Sequence, residues 1–345
     1  MISVRAPVGE VNIADKSYGI GRGLCAIEAD KIEKNYLWFL VKVLRKELYA
    51  KSTGSTYDSV STDDIKSLFC LLPPENEQKA IASYLDKETK RIDSLINKKE
   101  KLIELLEEKR QTVISQAVTK GLNSDVSMKD SGVDWVGKIP KHWKVTKVKY
   151  LGHVTKLAGY EFTNHVNYDE NGDIIALRAL NVKIGKLNLN NIKRISTEVD
   201  QKLQRSQLNK GDIVFTYVGT VGEVALITES NKYHLAPNVA KITLYNNDPK
   251  FYLYYFRSNI STAEIEISMN ITSQPVLSME KIRNINLVLP PIEEQNKIEN
   301  YLEDETRKID DLIDKIKTQI LNFKEYRKTL ITKAVTGKID VRELV

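Results

Sequence analysis

One stretch of this chain occurs twice. Residues 72–119 open LPPENEQKAIASYLDKETKRIDSLI, and residues 289–336 open LPPIEEQNKIENYLEDETRKIDDLI. Pairing each residue with the one 217 positions later aligns the two copies without a gap, and 23 of the 48 pairs are identical. So clean a repeat restricts the chain to two related units built on one supersecondary design.

Each copy reads as a single long helix. Proline is tolerated at a helix start and not in its interior, so Pro73-Pro74 and Pro290-Pro291 mark N-termini, and the acidic residues behind them suit the free amides of a first turn. Apolar residues then recur at spacings of three and four: Ile81, Leu85, Ile92, Leu95, Leu102, Leu106 and Val113 in the first copy, and Leu302, Ile309, Leu312, Ile316, Phe323 and Leu330 in the second. That pattern predicts a coiled-coil seam, interrupted in the first copy by Glu88, Lys99 and Lys109. A helix of about 45 residues is roughly 68 Å long, which makes it a spacer rather than one wall of a small domain.

The material around the rods repeats too. VGEV at residues 8–11 returns at 221–224, and the run Tyr36-Leu37-Trp38-Phe39-Leu40 is echoed by Tyr252-Leu253-Tyr254-Tyr255-Phe256. Val60-Ser61-Thr62-Asp63-Asp64-Ile65 likewise stands where Leu277-Ser278-Met279-Glu280-Lys281-Ile282 stands later. With Val8 matched to Val221, Met1 corresponds to Val214, so residues 1–71 are expected to be the latter half of a globular module. The boundaries expected are a half-module at 1–71, a first rod at 72–122, a complete module at 123–288, and a second rod with its tail at 289–345. Residues 122–132 read as a polar linker.

Inside the complete module, β-rich runs at 173–182 and 212–218 are bounded by Gly172, Gly185, Gly211 and Gly219 and predict strands, and runs at 224–228 and 240–245 extend that sheet. Alternating Val145, Val148 and Leu151 suggest an earlier strand or an entry to one, residues 249–257 a helix, and 286–289 a last short strand. The fold class is α+β: mixed α/β modules separated by two long antiparallel coiled-coil helices, related by a pseudo-twofold repeat.

Charge is concentrated in one place. The formal net charge is +6, and residues 133–288 hold 20 Lys and Arg against 14 Asp and Glu, while the other segments are close to balance. A basic module between neutral rods fits a phosphate-backbone partner. No run of about 18 apolar residues and no secretory signal pattern is visible, so no membrane partner is expected. Cys25 and Cys70 match no metal-ligand spacing, and two unpaired thiols fit a reducing cytoplasm.

Motifs for chemistry are missing. No GxxxxGK[ST] loop occurs, and GTVG at 219–222 reads as a tight turn between strands. LPPE and LPPI lack the amide and the aromatic ring of the tetrad that holds a flipped base for amino methylation. His142, His153, His165 and His234 are dispersed, and most carboxylates lie on the rods, where pairing with Lys and Arg accounts for them. The aromatic run at 251–256 reads as core rather than as a base-stacking platform. Candidates for contacting DNA are polar and basic residues in the loops of the complete module: Lys156, Tyr160, Arg178, Lys183, Tyr217, Thr220, Asn238, Asn270, Ser273 and Gln274. Arg and Lys address guanine edges or phosphates, and Asn or Gln can bracket adenine. In the half-module Arg5, Ser52, Thr53, Ser55 and Thr56 occupy the corresponding loops.

The ordered set of WVGKIPKHW (residues 135–143), KGDIVFTYVGTVGEVAL (210–226), the two LPP helix starts and KAVTGKIDVREL (333–344) resembles the DNA specificity subunits of type I restriction-modification systems over practically the whole chain. The resemblance implies two target recognition domains on two antiparallel helices. The domains would read the halves of a bipartite double-stranded DNA site, and the helices would dock methyltransferase subunits. It further implies that this chain is not an enzyme: S-adenosylmethionine, ATP and Mg belong to the methyltransferase and the motor/restriction subunits. Two head-plus-rod units related by a local dyad run their rods antiparallel, and rod length then sets the gap between the bases read. The departure from the family is the half-module in front. It adds a complementary partial specificity chain, or a second copy, to the expected partners, and it leaves open an inactive or recombinational partial copy. A protein-only coiled-coil scaffold is the reading of another class.

Overall fold

Two helices dominate the chain, Glu75–Lys120 of 46 residues and Ile292–Val335 of 44. They begin directly behind the proline pairs, where the amides of Gln78 and Gln295 donate to the carbonyls of Pro74 and Pro291. The computed structural model describes residues 1–52, 58–183, 185–269, 275–342 and 344; of the candidate loop residues, Thr53, Ser55, Thr56, Asn270, Ser273 and Gln274 lie outside them. The chain forms two units, Met1–Glu104 with Ile313–Val345, and Leu105–Leu312. Each unit takes part of both rods.

Within each unit the two rod segments run antiparallel. In the first, Lys99 Nζ donates to Gln319 Oε1 at 2.7 Å and Arg327 Nη2 to Asp93 Oδ2 at 3.2 Å, so the numbers rise along one helix as they fall along the other. In the second, Arg110 Nη1 donates to Asp310 Oδ1 at 2.6 Å.

The apolar seam holds Ile81, Leu85, Ile92, Leu302, Ile309, Ile316 and Leu330 as expected and departs from the expectation by one residue at three places. Ile96 and Ile313 are buried where Leu95 and Leu312 were expected, Ile114 is buried deeper than Val113, and Leu102 and Leu312 are exposed. Buried Thr89 and Thr306 explain the shift: with them the seam runs Leu85, Thr89, Ile92, Ile96 and Leu302, Thr306, Ile309, Ile313, at coiled-coil spacings of four, three and four. Each threonine hydroxyl donates to the carbonyl four residues back, Leu85 and Leu302, at 2.6 Å, which satisfies a polar group on an apolar face.

The second unit holds an intact head built on two four-stranded sheets. One has the order Val224–Leu226, Ile213–Thr216, Val239–Leu244, Gly152–Lys156, antiparallel throughout. The other has the order Lys193–Ile195, Ile174–Leu177, Tyr233–Leu235, Gln207–Leu208, with a parallel pair at its centre. Alternation along Ile213–Thr216 assigns its faces. Val214 joins Ile175, Leu177, Tyr233 and Val239 in one core, while Ile213 and Phe215 join Ala240, Ile242 and the helix Pro249–Phe256 in another. Covered on both faces, the strand is apolar from Ile213 to Phe215.

The helix Pro249–Phe256 carries the aromatic run, and Phe251, Tyr252, Tyr255 and Phe256 are buried core, as the sequence predicts. The tryptophans of WVGKIPKHW tie the head down through their ring N–H groups: Trp135 donates to Glu264 Oε2 at 3.1 Å and Trp143 to Glu294 Oε2 at 2.9 Å. The expected linker is partly structured, because Met128–Asp130 pairs antiparallel with Lys138–Pro140. Polar side chains hid a strand whose pairing is made by main-chain groups.

Residues 1–71 repeat a set of the hydrogen bonds made by residues 214–288. In the intact head the Thr216 hydroxyl donates to the Thr220 carbonyl, the Glu223 amide donates to Thr216 Oγ1 at 3.0 Å, and the Gly222 amide to the Thr216 carbonyl at 2.9 Å. In the half-head Ser3, Pro7, Glu10 and Gly9, each 213 positions earlier, make the same three bonds. Both turns need a glycine in the left-handed region, Gly9 at φ +81° and Gly222 at φ +90°. Strand Ile2–Ser3 pairs with Leu24–Cys25 as Phe215 and Thr216 pair with Ala240 and Val239. The tyrosine hydroxyls match as well: Tyr36 donates to the Leu71 carbonyl and Tyr252 to that of Val288.

A glutamine fastens each head to its rod. Gln295 Oε1 accepts the Asp248 amide at 3.0 Å and its Nε2 donates to the Pro290 carbonyl at 2.9 Å. Gln78 does the same with the Glu33 amide at 2.7 Å and the Pro73 carbonyl at 2.8 Å. Asp248 and Glu33 are the N-caps of the aromatic helices Pro249–Phe256 and Lys34–Ala50, so the clamp holds a helix start against a helix start.

Candidate nucleic-acid interface

Pairing of Gly152–Lys156 with Val239–Leu244 places the end of the former beside the turn that follows Ile213–Thr216. The Tyr217 amide donates to the Asn238 carbonyl at 3.1 Å, and the Leu277 amide donates to the Tyr217 carbonyl at 2.9 Å. Asn238 sits at φ +72°, a conformation asparagine tolerates better than most side chains, and so turns the chain back toward Tyr217. The result is a cleft of about 710 Å³ lined by His153, Thr155, Lys156, Arg205, Tyr217 and Arg283, among others.

Its chemistry is basic with one aromatic wall. Lys156 Nζ stands 5.6 Å from the centre of the Tyr217 ring, and burial pushes the Tyr217 phenol above its ordinary value, so it faces the cleft as a neutral donor. Arg283 Nη2 donates to the Val154 carbonyl at 3.3 Å, and Arg205 lies 3.1 Å from Glu161. Thr155 Oγ1 is buried in the wall of the cleft without a hydrogen-bond partner in the chain. Three cations over a neutral phenol suit a phosphate with an adjoining sugar or base.

Of the residues singled out from sequence, the fold brings Lys156 and Tyr217 together and sets Asn238 behind them. Tyr160 is exposed on the helix Gly159–His165 just beyond, its ring edge-on to His165. Thr220 is exposed at the turn, where its carbonyl accepts the Thr216 hydroxyl. Two fall elsewhere. Arg178 is held by Asn191, donating to its carbonyl at 2.8 Å and its side-chain oxygen at 3.1 Å, and Lys183 lies on the hairpin Val182–Lys183 with Lys186–Leu187. That hairpin adjoins Val224–Leu226, at the opposite edge of the sheet from Lys156. Sequence reasoning passed over Arg205 and Arg283. Nothing in their local sequence marks them, and only the pairing of distant strands puts them beside Lys156.

Among the described residues no group of three or more His, Cys, Asp or Glu could hold a metal. His234 is enclosed, its ring nitrogens facing the carbonyls of Leu235 and Leu203 at 2.7 and 3.3 Å, and burial holds its imidazole below the ordinary value. No described helix is long and apolar enough to cross a membrane.

The sequence model of the type I restriction modification DNA specificity domain matches residues 1–105 and 140–322. This chain belongs to that family. Among specificity-family relatives, the EcoBI specificity subunit of Escherichia coli is 24% identical over 331 residues, covering 94% of this chain and 70% of its own. The MjaVIII specificity subunit of Methanocaldococcus jannaschii is 25% identical over 316 residues, covering 90% and 71%. A solved chain from work on assembly and conformational transition of the type I R-M system superposes with TM-score 0.73 at 17% identity, over 91% of this chain and 74% of that one. The HsdS subunit of Thermoanaerobacter tengcongensis gives 0.54 at 16% identity, over 92% and 74%. These two likenesses speak to the specificity-subunit fold, and the family assignment rests on the sequence match.

Proposed function

We propose that this chain is the non-catalytic DNA-reading subunit of a type I restriction-modification complex, and that the basic cleft of its intact head contacts one half of a bipartite target. The observation that carries the reading is the convergence of Lys156, Arg205 and Arg283 around Tyr217 in a head of a DNA-specificity family. Phosphate contacts from these cations supply affinity that falls with salt, and contacts from the turn at 217–222 to base edges supply discrimination. In this reading the rods dock methyltransferase subunits, a motor/restriction subunit joins through the complex, and S-adenosylmethionine, ATP and Mg are held by those partners. Methylation mapping of a host genome with and without the gene tests it. A bipartite adenine-methylated motif that disappears on deletion is the expected result, and an unchanged methylome overturns it.

A further inference from the structure

Each unit has a groove where the turn bearing VGEV meets the C-terminal part of a rod. Beside the intact head it holds about 660 Å³, and beside the half-head about 890 Å³. The walls are the same positions of the repeat. Gly222, Glu223, Thr262, Ile265, Arg110 and Gln111 line the first. Gly9, Glu10, Lys46, Tyr49, Arg327 and Lys328 line the second, at offsets of 213 in the turn, 216 in the helix and 217 in the rod. Among the described residues none from 133–213 lines the groove of the intact head, so this opening belongs to the part of the design that both heads share.

The two grooves differ in sign. Beside the intact head the lining carries Arg110 and Arg257 against Glu107, Glu108, Glu223 and Glu266. Beside the half-head, among the described residues, it carries Lys42, Arg45, Lys46, Arg327 and Lys328 against Glu10. Arg45 is paired with Glu10 and Arg327 with Asp93 at 2.9 Å, which leaves Lys42, Lys46 and Lys328 without a carboxylate partner among the described residues. Packing does not call for these lysines, because Ser258, Thr262 and Gln111 stand at their places in the intact head.

The helix Lys34–Ala50 runs unbroken where the intact head divides the same stretch into Pro249–Phe256 and Asn259–Ser268. One continuous face thereby carries Trp38, Lys42, Arg45, Lys46 and Tyr49, at steps of four, three, one and three. Lys42 Nζ stands 3.9 Å from the centre of the Trp38 ring. Burial, and then the Arg327 guanidinium, hold the Lys42 ammonium below its ordinary value, with Asp93 opposing. Cations gathered in one groove repel one another, and an entering anion relieves that repulsion. We propose that this groove binds closely spaced phosphate groups between Lys42 and Lys46 on the head helix and Lys328 on the rod.

Three ammonium groups around one cavity match the charge that a run of phosphates concentrates, and lysine serves phosphate as a compact point charge. Trp38 and Tyr49 line the same groove and offer ring surface to an attached sugar or base. At about 890 Å³ the groove is within the size of small-ligand sites, which run to about 1,000 Å³. A free polyphosphate or nucleotide and the backbone of a nucleic acid present this same chemistry. The inference rests on the groove alone and does not require the cleft of the intact head to read DNA.

Calorimetric titration of the whole 345-residue chain with inorganic tripolyphosphate at low salt tests the proposal. The triple variant Lys42→Ser, Lys46→Thr, Lys328→Gln carries the side chains of the intact head's own groove. It should bind about tenfold more weakly than the parent, and each replacement made singly, should the triple variant not fold, about twofold more weakly. Random-sequence duplex DNA separates the sources of phosphate. Displacement of tripolyphosphate by the duplex assigns the site to a nucleic-acid backbone, and its retention in the presence of the duplex assigns the site to a free phosphate compound; either result supports the site. No binding by the parent chain, or equal binding by parent and variants, overturns the proposal. So does hexaglutamate bound as tightly as tripolyphosphate, which would make the groove a seat for an acidic peptide.

Discussion

Arg110 and Asp310 bond across the two rods at 2.6 Å, and the residues one repeat away bond again with the roles of the rods exchanged, Arg327 with Asp93 at 3.2 Å. Since 110 and 327, like 93 and 310, differ by 217, one pair is the repeat of the other. Both are partly open to solvent, so each contributes at the level of a surface pair. A double-mutant cycle on Arg110→Ala and Asp310→Ala should give a coupling of about 0.5–1 kcal/mol in urea unfolding, and the Arg327 with Asp93 cycle a similar value. A coupling indistinguishable from zero in both would leave the antiparallel register to the apolar seam alone.

The glutamine clamps should matter more. Gln295 and Gln78 are buried, and each satisfies a main-chain amide and a main-chain carbonyl that have few other options. Replacing either by Ala strands both groups, at a cost of about 2 kcal/mol. Hydrogen exchange should localise the loss, with Gln295→Ala loosening the start of Pro249–Phe256 and Gln78→Ala the start of Lys34–Ala50.

Lys156 faces the cleft from a strand end without lending its side chain to the core. Lys156→Ala should leave the thermal midpoint within about 2 °C of the parent, weaken binding of DNA by a reconstituted complex across all sequences, and lower the slope of log affinity against log salt by about one. An unchanged slope would remove Lys156 from the interface. Tyr217→Phe separates the phenol's hydrogen bonding from its packing, since the ring and its place beside Lys156 are retained.

A buried imidazole gives the intact head a pH signature. Burial keeps His234 below its ordinary 6.5 in the folded chain, and nearby Lys241 adds to this, against an opposing pull from its carbonyl partners and Asp200. As pH falls through about 6.5 the unfolded chain takes up a proton that the folded chain resists, so stability declines from neutral pH downward. His234→Gln should flatten that decline in urea midpoints measured between about pH 7.5 and 5.5. Asp200, whose carboxyl burial raises, acts in the opposite sense and from lower pH: its contribution is complete below the ordinary 3.8 and is lost as pH rises through the folded value. The two residues are separable by substitution.

What the sequence revealed and what it hid divide along a physical line. Main-chain demands leave local marks, so the proline pairs located both rods, and Gly211 and Gly219 bracketed Ile213–Thr216. The seam was legible at Leu85, Ile92, Leu302 and Ile309 and slipped by one residue at Leu95 and Leu312, because Thr89 and Thr306 look polar until their hydroxyls are seen bonded to the preceding turn. Trp135 and Trp143 were part of a legible motif, but their purpose depended on Glu264 and Glu294, each more than a hundred residues away. The cleft was half legible for the same reason. Lys156 and Tyr217 were named as loop residues, and Arg205 and Arg283 needed the sheet order to become their neighbours.

The offset between matching residues is 213 around Gly9 and Gly222, 215 at Cys25 and Ala240, and 217 from Leu71 and Val288 onward through the rods. Four residues were thus gained or lost between the twin halves, and one of them falls in the first turn of the aromatic helix, between the N-caps Glu33 and Asp248, 215 apart, and the hydroxyls of Tyr36 and Tyr252, 216 apart. The clamp glutamines Gln78 and Gln295 keep the 217 spacing of the rods, so the repeat holds its length where head meets helix start.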